Sequence, residues 1–148
     1  MIDIKHLREA PDLYRQASIQ MATLHKSMAF SNLAMDVPEF VESFFAVGKV
    51  GAVNVPLNWR LVPDELEFIL ADAGVRVLVY GAEFAKVATE LRERGTTAIE
   101  HWIEVGGEGE GGALDYETWS AAASEAEPEP NASGDDLLFI MYTSGTTG

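Results

Sequence analysis

Four aliphatic hydroxyls and two glycines crowd into the seven residues Tyr142-Thr143-Ser144-Gly145-Thr146-Thr147-Gly148. Such residue types can grip phosphate without carrying charge. Glycine allows close backbone approach and tolerates positive φ, and consecutive amides in such a turn converge into an anion-binding nest. Thr143, Ser144, Thr146 and Thr147 add hydroxyl donors. The spacing excludes one common phosphate loop, G-x-x-x-x-G-K-[ST]. Only Thr146 and Thr147 separate Gly145 from Gly148, and no lysine follows in the chain. The plain alternative is a polar chain end.

The run Leu137-Leu138-Phe139-Ile140-Met141 directly before the loop has the length and composition of a buried strand. Upstream, Phe40, Phe44, Val47 and Val50 recur at helical spacing, so a helix is expected over 38–50, with Asp36 as its cap and Gly51 as its stop. A short buried strand over 53–57 follows. The next helix covers 63–73, with Leu66, Ile69 and Leu70 on one side and Asp64-Glu65 complementing its N-terminal dipole. A β-branched strand over 75–80, a helix over 83–94 closed by Gly95, and a strand over 96–105 come next. The sequence then predicts a flexible glycine loop over 106–112, a short helix over 115–123 capped by Asp115, and an acidic linker over 125–134. A weak strand is expected over 28–35 and a short polar helix over 1–20. Strands alternating with helices imply an α/β fold with a mostly parallel sheet and right-handed crossovers.

The 148 residues suffice for one domain, and 47% hydrophobic residues place the chain in the globular range. Net charge is −14, and no lysine or arginine occurs after Arg94. That balance disfavours nucleic-acid binding. It also means that a triphosphate at Gly148 would need cations or metal from elsewhere. No apolar run approaches the roughly 18 residues of a membrane span. The absence of cysteine and of an apolar signal core fits a cytoplasmic protein. His6, His25 and His101 have no partners at ligand spacing, so no metal site is expected. Trp59-Arg60 reads as a packed turn with a solvated arginine.

The loop YTSGTTG resembles the signature loop of the adenylate-forming superfamily, which includes acyl-CoA synthetases, luciferases and peptide-synthetase adenylation domains. A second block is similar to the acyl-CoA synthetase segment upstream of that loop: Pro38 through Glu42, Gly51 through Leu61, and Pro63-Asp64-Glu65-Leu66 opening the next helix. The resemblance runs from about Met28 to Gly148. It implies that Thr143, Ser144, Gly145, Thr146, Thr147 and Gly148 bind the phosphates of ATP, and that Mg2+ and coenzyme A take part. The implied partner is a small-molecule carboxylic acid, with the PLNWRL wording pointing to a fatty acid. On this reading residues 28–148 are a partial AMP-binding domain ending inside the phosphate loop. The catalytic residues and the downstream part of the domain then lie outside the chain, and the fragment is expected to be inactive alone. Residues 1–27 form a helical segment of unassigned origin. Their Met1-Ile2-Asp3-Ile4-Lys5, Leu7-Arg8 and Pro11-Asp12 resemble the start of seryl-tRNA synthetases. The opening helix and Gly-Asp-x-Val strand usual in acyl-CoA synthetases are missing. A non-catalytic binding or regulatory domain keeping the fold, and a tRNA-related protein, are the alternative functions.

Overall fold

The computed structural model of the chain describes residues 29–33, 38–123, 126 and 132–143. The expected helix over 1–20, the cap at Asp36 and most of the acidic linker lie outside them. The described elements are β1 (Ala29–Leu33), α1 (Pro38–Val50), β2 (Val53–Pro56), α2 (Pro63–Asp72), β3 (Val75–Gly81), α3 (Ala85–Arg94), β4 (His101–Val105), β5 (Leu114–Asp115) and α4 (Tyr116–Ala121). Their strands form one sheet in the order β2-β1-β3-β4-β5, and every pairing is parallel. This is the expected α/β architecture.

Strand alternation divides the core between the two faces of the sheet. On one face Val55, Leu78, Tyr80 and Trp102 pack with Leu66, Ile69 and Leu70 of α2 and with Ala88 and Leu91 of α3. On the other, Val77, Val79, Ile103 and Val105 pack with Ala46, Val47 and Val50 of α1 and with Tyr116 of α4. Val75 and Val77 have the same parity yet serve opposite faces. The register explains this: Ala29 pairs with Val75 and the next residue, Phe30, with Val77, so Arg76 is an inserted residue that turns the strand over. Arg76 ion-pairs with Glu100 beyond it.

The helices start and stop where local chemistry dictates. Pro63 sits in the first turn of α2, and the Glu65 carboxylate accepts the Val62 N–H at 3.1 Å. Gly95 closes α3 in the left-handed region at φ 64°. Asp115 caps α4, its carboxylate accepting the Thr118 N–H at 2.8 Å.

Three expectations are corrected. The strand expected over 96–105 begins only at His101. Residues before it serve as a strap, with Thr96 bonding its hydroxyl to Glu67 and Glu100 donating its N–H to the Arg76 carbonyl at 2.8 Å. The loop over 106–112 is tied down rather than loose: Glu104 accepts the Gly109 N–H at 2.9 Å, and Arg92 donates to the Gly111 carbonyl at 2.5 Å. The third correction concerns 137–141, which is neither buried nor a full strand. Phe139 makes a single parallel bridge to Asn54, and Leu137, Leu138, Phe139 and Met141 are exposed. The segment lies outside β2, at the edge of the sheet, and its outer side is uncovered by any described element.

Candidate functional site

Residues 137–143 lead into the hydroxyl-rich sequence, and contacts to β2, α1 and α2 fix their path. Asn54 donates its N–H to the Leu138 carbonyl and accepts the Ile140 N–H, both at 2.9 Å. Leu138 lies against α1 at Gly48, where a Cβ would stand 3.3 Å from its Cδ1. Ile140 and Tyr142 pack on the core beneath α2. The Tyr142 hydroxyl donates to Asp72 Oδ2 at 2.5 Å, at the last residue of α2.

Because the bridge to β2 is parallel, Tyr142 and Thr143 emerge at the carboxyl end of the sheet, beside the exit of β2. Parallel α/β sheets bind their ligands outside that end. A cleft of about 490 Å³ opens there, lined by Pro56, Asn58, Leu61, Phe68, Tyr142 and Thr143 together with Asp64, Glu65 and Ile69. Its volume suits a small molecule. Its two carboxylates are already engaged, Asp64 with Arg94 at 2.8 Å and Glu65 with the Val62 N–H. No lysine or arginine lines it among the described residues. The Tyr142 phenol is pushed up to about 12, first by its hydrogen bond to Asp72, then by burial and by the charge of that carboxylate.

A larger cleft of about 590 Å³ lies between α3 and the loop after β4, and its lining includes Glu90, Glu93, Glu104 and Glu108. Its four carboxylates outweigh the one lysine in its lining, Lys86, and repel a polyphosphate. The smaller cleft is therefore the better anion site, although neither is basic.

Of the six residues expected to bind phosphate, Thr143 is placed, exposed, at the rim of the smaller cleft. Ser144, Gly145, Thr146, Thr147 and Gly148 lie outside the described residues. Trp59 and Arg60 are both exposed, with the guanidinium 4.3 Å from the indole centroid and the Arg60 N–H bonded to Asn58 Oδ1 at 3.0 Å. Sequence reasoning missed the partnership of Asp72 with Tyr142. A signal existed: a carboxylate at the C-terminal end of a helix opposes the helix dipole, and such a residue calls for a donor from elsewhere.

The sequence pattern of the family described as AMP-binding enzyme matches residues 29–148. A long-chain-fatty-acid–CoA ligase of Mycobacterium tuberculosis is 43% identical over 112 residues, covering 74% of this chain and 21% of that protein. A feruloyl-CoA synthase of Amycolatopsis is 38% identical over 111 residues, covering 75% of this chain and 19% of the relative. The chain thus spans about a fifth of the length of the curated relatives it matches. Among solved structures, a fatty acyl CoA synthetase of M. tuberculosis superposes with a TM-score of 0.80 at 32% identity, covering 93% of this chain and 27% of that one. An anthranilate CoA ligase in complex with anthranoyl-AMP superposes with a TM-score of 0.85 at 29% identity, covering 95% of this chain and 27% of that one.

Proposed function

The chain belongs to the AMP-binding enzyme family, and from that membership we propose that it carries the start of the ATP site of an acid–thiol ligase. The reaction has two steps. A carboxylate oxygen attacks the α-phosphorus of ATP, the bond to the β-phosphate oxygen breaks, and its electron pair leaves with pyrophosphate. The thiol of coenzyme A, as thiolate, then attacks the acyl carbon and AMP departs.

The observation that carries this reading is the delivery of Thr143 to the cleft at the carboxyl end of a parallel sheet, with Ser144-Gly145-Thr146-Thr147-Gly148 next in sequence. Thr143, Ser144, Gly145, Thr146, Thr147 and Gly148 are the proposed phosphate-binding residues. Their amides and hydroxyls are neutral donors. They stabilise charge that builds up on the departing pyrophosphate, and neutral donors also release it. Removing one such donor typically costs a few kcal/mol of transition-state stabilisation, so no single hydroxyl carries the reaction.

Among the described residues no cluster of three or more His, Asp or Glu side chains could hold a metal ion. Mg2+ accompanying the nucleotide would therefore take most of its ligands from the phosphates and water, with at most one or two carboxylates.

The relatives' names specify a long-chain fatty acid, ferulate and crotonobetaine or carnitine. What these share is a carboxylic acid joined to coenzyme A, and we assign that chemistry here. A fatty acid is the favoured substrate because the 43% identical relative is named for one. No helix among the described residues is long and apolar enough to cross a membrane.

The test is acid-dependent exchange of labelled pyrophosphate into ATP by the gene's full product, with fatty and aromatic acids compared. Exchange with a fatty acid is the expected result. No exchange with any acid, and no affinity for ATP, would overturn the assignment. The 148-residue chain alone is expected not to turn over, since it spans about a fifth of the relatives' length and no cation lines the cleft among the described residues.

A further inference from the structure

We propose that Tyr142 and Asp72 form a clamp that sets the position of the phosphate loop, making Tyr142 a positioning residue for ATP. The proposal rests on the ATP-binding reading above and adds the device that holds its loop in place.

Three observations carry it. Tyr142 directly precedes Thr143 and lines the same cleft, so its position fixes where the loop begins. Its ring packs on the core while its hydroxyl reaches Asp72, a residue 70 positions earlier in sequence, at 2.5 Å. Upstream, the segment from 137 to 141 has only the two main-chain bonds to Asn54 among its described backbone pairings, and most of its side chains are exposed. Among the described residues the phenol is therefore the last tie before the loop. Asp72 ends α2, whose last turn holds no basic residue. A carboxylate there is locally unfavourable. Local rules are broken mainly where function requires it, and the requirement here is an acceptor for the loop's base.

The arrangement separates two roles. The loop's amides and hydroxyls contact the nucleotide. The clamp touches no reacting atom and acts by fixing Thr143, where the loop begins, at the rim of the cleft, so that less ordering is needed when ATP binds.

Tyr142→Phe removes one oxygen and keeps the ring packing. In the gene's full product, steady-state kinetics should show the KM for ATP rising about three- to ten-fold, the range of an ordinary hydrogen bond rather than a charged one because both partners border solvent. The KM for the acid should stay near the parent's, and the melting temperature should fall only slightly, by the loss of one solvent-bordering hydrogen bond. Asp72→Ala should match Tyr142→Phe, and the double variant should be no worse than either single one. Asp72→Asn, which keeps an oxygen acceptor, should recover part of the loss. An unchanged KM for ATP in Tyr142→Phe overturns the clamp and leaves the ATP site standing. A fall in melting temperature with both KM values rising together also overturns it, because that pattern is purely structural. A parent protein with no response to ATP overturns the clamp and the ligase assignment together.

Discussion

At the scale of single residues, the described part of the molecule concentrates its charge pairing on one arginine. Arg94 at the end of α3 donates to Glu90 one turn back at 2.6 Å, and to Asp64 and Glu67 of α2. Glu67 also accepts the Thr96 hydroxyl. These bonds, Thr96 first and Arg94 next, hold the Glu67 carboxyl below the usual range. A carboxylate depressed in the folded state adds stability above its unfolded pKa of about 4.3 and loses that contribution as pH falls through the folded value. Asp115 acts in the same sense, its carboxyl lowered by the Thr118 hydrogen bonds. The parent's melting temperature should therefore drop as pH is lowered from 5 towards 3, roughly the carboxylate range. Glu67→Gln should start lower at neutral pH and show a shallower drop, as seen in thermal melts across that range. Parallel curves for the two proteins would show that Glu67 titrates alike folded and unfolded. Tyr142 has the opposite sign. Its raised phenol contributes below pH about 10, and that contribution fades as pH climbs to about 12.

At the scale of elements, periodicity was a sound guide wherever a helix buries one face. Leu66, Ile69 and Leu70 were legible as the inner side of α2, and all three are buried. In α1 the pattern pointed to Phe40 and Phe44, yet both are half-buried, while Glu42 and Ser43 are fully covered. The reason is a polar contact that spacing cannot reveal: the Tyr116 hydroxyl of α4 donates to Glu42 Oε2 at 3.0 Å across 74 residues. Burial first, then the charge of Glu42 and that hydrogen bond, drive the Tyr116 phenol far above its ordinary range. Strand limits were less legible than helix faces, because a stretch rich in β-branched residues such as 96–100 can equally strap a helix to the sheet through polar contacts. The candidate site was legible only as a loop sequence. Its cleft is assembled from β2, α2 and the 137–143 segment, elements whose proximity depends on topology. Packing energetics follow the contacts. Leu91 is fully buried between α3 and the sheet, so Leu91→Ala should cost about 2–5 kcal/mol by leaving a cavity. Urea denaturation should register this as a lower midpoint with unchanged slope. A loss under 1 kcal/mol, about one methylene's worth, would mean that α3 collapses onto the gap.

At the scale of the whole molecule, two opposing features meet at the open edge of the sheet. Leu137, Leu138, Phe139 and Met141 are 58%, 42%, 43% and 65% exposed, and Phe45 of α1 is 59% exposed. A row of apolar side chains on a segment whose outer backbone groups are unpaired by any described element favours pairing with another chain. The net charge of −14 opposes it. Salt decides which wins, because the screening length falls from about 10 Å at 0.1 M to about 3 Å at 1 M. Charge repulsion between two copies then collapses while apolar burial is retained. The 148-residue chain should therefore sediment closest to a monomer in low salt and associate progressively as salt is raised. Met141→Glu places a charge at the most exposed of these positions and should shift that onset to higher salt without altering the melting temperature. Association that weakens with added salt would instead identify charge pairing as the cause, and the edge would then play no part in it.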